Sequence, residues 1–193
     1  MTDSSALLRP AAAEFLRVAG ALTPADLTAR TPCADYDVRA LLNHLLYWGP
    51  WLTAAGRREE APVPATPEAD AGLVTGDWCS ALEKQTETLV AVFGAATAWT
   101  GMTSMGGAEL PAAVVGDMVL GEFVLHGWDL ARASGQDLAC PAATAAALYA
   151  SATAMGEQAR AMGVYGPAVA VAATASPLDR ALGATGRNPM WTR

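Results

Sequence analysis

The chain has 193 residues, 52% of them apolar and 16% charged, with a formal net charge of −7. That length predicts one domain with a sizeable core. The acidic balance, with Lys84 the single lysine, excludes a nucleic-acid partner, because phosphate binding needs clustered Lys and Arg. No apolar run reaches the ~18 residues of a membrane span, and Cys33, Cys79 and Cys140 form no Cys-x-x-Cys pair, which argues against a disulfide framework or a thiolate zinc site. The start Met1-Thr2-Asp3-Ser4-Ser5 lacks a positive n-region, so no secretory leader is expected and the chain reads as a reduced, cytoplasmic protein.

The spacing of Leu8, Ala12, Phe15, Leu16 and Ala19 predicts a helix over Ser5 to Ala21. Thr23-Pro24-Ala25-Asp26 is a capped short turn, and Thr31 to Tyr36 a loop. Asp37 is an N-cap for a second helix over Val38 to Ala55, followed by an exposed loop over Gly56 to Thr66. A third helix is expected to start at Thr66-Pro67-Glu68 and to run to Phe93, with Gly72 or Gly76 as points where it breaks. Gly106-Gly107, between short apolar segments, predicts a small hairpin or an irregular excursion within Ala98 to Leu110. A fourth helix spans Pro111 to Ala133 with Gly135 as its stop, and a fifth spans Pro141 to Met162. An apolar extended segment follows Gly166-Pro167, and a short helix capped by Ser176-Pro177-Leu178-Asp179 closes at Gly186. Four long helices around one core make an all-α bundle.

Only two histidines occur, His44 in the second helix and His126 in the fourth. Glu122 stands four residues before His126, and residues four apart share a helix face. Between Pro111 and Gly127 only Asp117 and Glu122 are ionised, so a carboxylate buried among Met118, Val119, Phe123 and Leu125 needs a partner. Two imidazoles and a carboxylate on facing helices would make a three-ligand metal site with open positions, the catalytic pattern. Solvated or core side chains are the competing reading of the same residues. Asp129 is either a further ligand, an acceptor orienting an imidazole N–H, or a local partner of Arg132, and the orienting or the structural role fits better than that of a ligand. Trp48 and Trp51 either wall a pocket or belong to the core. Cys33 reads as a small buried hydrophobe rather than a nucleophile, Trp128 as packing away from the histidine face, and Arg187 as the partner of a tail salt bridge.

The block Thr31-Pro32-Cys33-Ala34-Asp35-Tyr36 through His44-Leu45 resembles the first block of the actinobacterial branch of the DinB-like bundles, which groups with the N-terminal domain of mycothiol-dependent maleylpyruvate isomerase. Glu122 to Gly135, centred on His126-Gly127-Trp128-Asp129-Leu130-Ala131-Arg132, resembles the second block, and Ser176 to Pro189 resembles the tail. The resemblance implies a DinB-like four-helix bundle, here with a small hairpin excursion and a short C-terminal extension. It implies that His44, Glu122 and His126 hold a divalent metal, zinc in the isomerase, with nickel, iron and manganese compatible with the same donors.

The expected function is therefore a metal- and thiol-dependent isomerase or S-transferase. Mycothiol would be the thiol co-substrate and a small electrophile the substrate. A metal- or small-ligand-binding bundle without turnover and a metal-dependent hydrolase are the alternatives. The isomerase carries a further small domain after its bundle, whereas about thirty residues follow the fifth helix here. Either a partner subunit completes the site, as in a homodimer, or the substrate differs.

Overall fold

The computed structural model describes residues 5–61 and 63–193. Residues 1–4, which bear on the expected absence of a leader, and Pro62 of the expected loop lie outside them. The architecture is an all-α bundle with one two-stranded hairpin among the described residues.

Helix α1 is Ser5–Gly20 and α2 is Val38–Arg57. Asp37 caps α2, its carboxylate accepting from the Ala40 N–H at 2.8 Å. The buried positions Val38, Leu41, Leu42, Leu45, Leu46, Gly49 and Leu52 recur every three or four residues and give α2 one continuous core face. α2 runs two residues past its predicted end and stops at Arg57, with Arg58 in the left-handed region, so the loop begins later than the polar composition suggests.

The third expected helix is broken at the two glycines named as its break points. Thr66-Pro67-Glu68 opens only a 3-10 turn, Glu68–Asp70. Gly72 and Gly76 then adopt φ of +58° and +53°, which helical backbone does not allow. Helix α3, Trp78–Phe93, starts only at its own cap, Asp77. The hairpin forms as expected, with Met102–Met105 paired antiparallel to Ala108–Pro111. Gly106 and Gly107 both have positive φ, as a two-residue primed turn requires.

The fourth expected helix is continuous but not uniform. Ala112–Gly121 (α4) is α-helical, Glu122–His126 is a π-turn, and Gly127–Ser134 (α5) returns to α geometry. Gly116 is required within α4, because a Cβ there would stand 2.4 Å from the Trp99 ring. Gly135 ends α5 in the left-handed region. α6 is Ala142–Ala161 and α7 is Pro177–Ala184, with Ser176 capping α7 by accepting from the Asp179 N–H at 3.1 Å.

α1 packs on α3, α4, α5 and the π-turn, and α2 packs on α3 and α4. Phe15, Phe93, Phe123, Leu41, Leu42, Leu120 and Leu130 fill the centre, with the Phe15 and Phe123 rings 5.6 Å apart. α7 lies on α6, and the last residues return to α5, where Arg132 donates to the Trp191 carbonyl at 2.7 Å. None of the described helices is long and apolar enough to cross a membrane.

Candidate metal centre

α2 presents His44 and the π-turn presents Glu122 and His126 to the same point between the helices. Glu122 Oε2 is 3.8 Å from His44 Nε2 and 3.8 Å from His126 Nε2. The two imidazole centroids are 5.3 Å apart, nearly edge-on. The three side chains that the sequence singles out thus converge.

Each imidazole is held from behind by a carboxylate. His44 Nδ1 is 2.9 Å from Glu68 Oε1, and His126 Nδ1 is 3.0 Å from Asp129 Oδ2. An ionised carboxylate only accepts, so both Nδ1 atoms carry the hydrogen. A neutral imidazole with Nδ1–H has a lone pair at Nε2. With the imidazoles neutral, both Nε2 lone pairs face Glu122. Three acceptors meet, and among the described residues no donor stands between them. Glu122 Oε2 is buried without a hydrogen-bond partner among the described residues, a cost that native structures rarely tolerate without an unseen partner.

These donors fit a divalent ion. Ligands at about 2.0–2.2 Å around a tetrahedral centre stand roughly 3.3–3.6 Å apart, and here the three ligand atoms all lie within 4.8 Å of one another. Charge points the same way. Glu122, Glu68 and Asp129 are opposed in the cluster by Arg187 alone, leaving two negative charges while the imidazoles are neutral.

Glu68 is a member of this cluster that sequence reasoning misses. It lies 24 residues from His44, on the segment between α2 and α3. It accepts from Trp48 Nε1 at 2.8 Å and from the Tyr36 hydroxyl at 3.1 Å. Burial pushes its pKa up, but the bonds from Trp48 and His44 outweigh burial and hold it below the usual carboxylate range. Asn43 fixes the segment, donating to the Glu68 carbonyl and accepting from the Leu73 N–H, both at 2.8 Å. Trp48 thus acts by holding the carboxylate that holds His44. Tyr36, next to Glu68 and half buried, has its hydroxyl pKa raised, first by burial and then by that carboxylate.

Asp129 lies behind His126, its Oδ2 accepting from Nδ1 at 3.0 Å. Its partner is not Arg132, which turns to Trp191, but Arg187, whose Nε and Nη2 reach the carboxylate at 3.0 and 2.8 Å. Burial would raise the Asp129 pKa, yet Arg187 and His126 overcome it and hold it low. The Arg187 salt bridge is therefore no surface contact of the tail but a buried pair beside the site. Trp128, 6% exposed, packs in the core as its phase predicts.

Cys33, read from the sequence as a small buried hydrophobe, stands beside the site. The Cys33 thiol lies within 4.8 Å of ligand atoms of His126 and Asp129. The loop folds back to place it there. The buried Thr31 hydroxyl donates to the Tyr36 carbonyl at 2.7 Å and accepts from the Cys33 N–H at 3.2 Å, and Arg30 pairs with Asp37 as an isolated bridge. Burial, and then Asp129, push this thiol up to about 11. It is a protonated neighbour of the site and not a ready nucleophile.

A helical bundle with one hairpin and a His/Glu/His cluster between its second and fourth helical segments is a DinB-like fold. Residues 8–131 match the family described as the mycothiol maleylpyruvate isomerase N-terminal domain, and the chain belongs to that family. None of the curated proteins and none of the solved structures matches it. The matched span contains Cys33, Tyr36, His44, Trp48, Glu68, Glu122, His126 and Asp129, whereas Arg187 lies beyond it.

Proposed function

We propose that His44, Glu122 and His126 bind one divalent metal ion and that the loaded centre serves a thiol-dependent isomerisation or S-transfer on a small electrophile. The observation that carries this is the convergence of three acceptors with no donor among the described residues, with Glu122 Oε2 buried and orphaned. Zinc suits a His₂Glu donor set best, and nickel, iron or manganese can occupy the same donors. When bound, the ion supplies Lewis acidity and lowers the pKa of a coordinated thiol, much as it does that of water.

The chain's own residues prepare for that chemistry. Glu68 and Asp129 retain the Nδ1 protons and aim both Nε2 lone pairs at one point. Trp48 and Tyr36 keep Glu68 from rotating. The three ligand side chains are mostly covered, which limits competing water. Because Cys33 is protonated at neutral pH, the attacking sulfur comes from outside. Membership of the mycothiol-related family makes mycothiol the thiol of choice. Addition of its thiolate to an unsaturated acid, rotation about the new single bond and expulsion of the same thiolate would give isomerisation, and displacement of a leaving group such as halide, with the C–S bond formed as the carbon–halogen bond breaks, would give S-transfer.

We also propose that the residues after α6 belong to the same domain as the bundle. The Arg187–Asp129 pair and the Arg132–Trp191 bond support this.

Elemental analysis of protein purified without added metal or a His-tag tests the site, with about one equivalent of metal expected. Mycothiol is then titrated into cobalt-loaded protein, where a sulfur-to-cobalt charge-transfer band is expected. Its absence removes the thiol chemistry and leaves a metal-activated water or a non-catalytic metal site.

A further inference from the structure

We infer that Arg187 is a positioning residue of the metal centre, acting on His126 through Asp129, so that the C-terminal segment is a working part of the site. The inference rests on the metal reading above.

Asp129 is fully buried and its carboxylate must serve two partners at once. Oδ2 meets His126 Nδ1 at 3.0 Å and Arg187 Nη2 at 2.8 Å, while Oδ1 meets Arg187 Nε at 3.0 Å. This is a side-on fork, and a planar guanidinium donating two N–H bonds fixes both oxygens in its own plane. The carboxylate can then turn about neither of its side-chain bonds without losing one of them. The imidazole bonded to Oδ2 inherits that orientation, and so does its Nε2, which faces Glu122.

Arg187 Nη2 and His126 Nδ1, both donors and 3.4 Å apart, share the Asp129 Oδ2 acceptor between them. The position of Arg187 is in turn fixed by backbone. Its N–H donates to the Leu182 carbonyl at 2.8 Å, just after Gly186 turns the chain with φ of +89°. A Cβ at Gly186 would stand 2.7 Å from Gly166, so the two stretches of the tail cross tightly there. Helix α7, its closing turn and Arg187 thus form a rigid arm that reaches back to α5.

Four chains test this: the parent, R187K, R187M and the double variant D129N/R187M. Zinc affinity is read by chelator competition, and the cobalt visible spectrum is read for ligand geometry, with far-UV circular dichroism as the check of folding. Loss of an orienting partner behind a metal-bound imidazole weakens binding about 10–100-fold. R187M is expected to lose that much and to show a shifted cobalt spectrum at unchanged helicity. R187K, which keeps charge but not the fork, is expected to recover part of the affinity and little of the parent spectrum.

R187M leaves a buried carboxylate without its main partner and can unfold. The double variant removes both charges, while the new side-chain amide at position 129 still offers His126 an acceptor oxygen. It is expected to fold and to bind zinc about 10–100-fold more weakly than the parent. Parent-like affinity and spectrum in the double variant overturn the inference. A parent chain that binds no metal overturns the metal reading instead, so the two failures are distinct.

Discussion

Replacing Glu122 by Gln should move stability and metal binding in opposite directions. In the metal-free protein the Glu122 carboxylate faces two imidazole nitrogens at 3.8 Å with no donor for Oε2 among the described residues. An unsatisfied buried acceptor costs about 1–3 kcal/mol. The side chain as a whole is 20% exposed, which favours the lower part of that range. Gln has the same shape, carries no charge, and brings an amide N–H that can donate to one Nε2 lone pair. The substitution is expected to stabilise the metal-free chain by ~1–2 kcal/mol, raising Tm by roughly 2–8 °C for a chain of this size. Zinc affinity should fall by more than the ~10–100-fold typical of an outer partner, because an anionic ligand is lost. Thermal unfolding with a chelator present, followed by circular dichroism, reads the first effect, and chelator competition reads the second. A metal-free E122Q protein that melts below the parent, or one that binds zinc equally well, refutes the reasoning.

Removing either imidazole, in His44→Ala or His126→Ala, should abolish most bound metal in elemental analysis, since two donors hold an ion poorly. Cys33 and Cys140, both pushed up to about 11, should react slowly with iodoacetamide at pH 8, with rates climbing about tenfold per pH unit up to about pH 10; rapid labelling of Cys33 at pH 8 would contradict its placement. Glu68 has a folded pKa below its unfolded value of about 4.3, so its stabilisation is complete above that pH and is lost as pH falls through the lowered value. Urea midpoints should therefore drop below about pH 4, and less steeply in Glu68→Gln. Asp37→Ala removes the cap of α2 and should cost about 1 kcal/mol in urea unfolding.

What is legible in the sequence is what lies within one periodic segment. Glu122 and His126 are four apart on one helix, and His44 stands in an apolar run, so their pairing follows from helix geometry. The hairpin follows from Gly106-Gly107 and the cap of α7 from Ser176. Glu68 is hidden because its partner His44 is 24 residues away and its segment has no periodicity to reveal its direction. The break in the third helix is legible at Gly72 and Gly76, but not that both take positive φ and delay the helix to the cap at Asp77. Cys33 escapes for a related reason: loop closure through Thr31 brings it to His126, and nothing in the spacing of residues 33 and 126 records that.

The π-turn over Glu122–His126 puts one residue too many into an otherwise regular helix. Deleting Val124 would let the backbone return to α geometry while α4 and α5 kept their phases, and the buried faces carrying Val115, Val119 and Leu130 would stay in register with the core. Only the interval between Glu122 and His126 would change, from four residues to three. The surplus residue is thus neutral for the packing of the helix and decisive for the gap between the two side chains, which makes Glu122–His126 a vernier: a local offset that tunes one spacing without resetting the scale on either side.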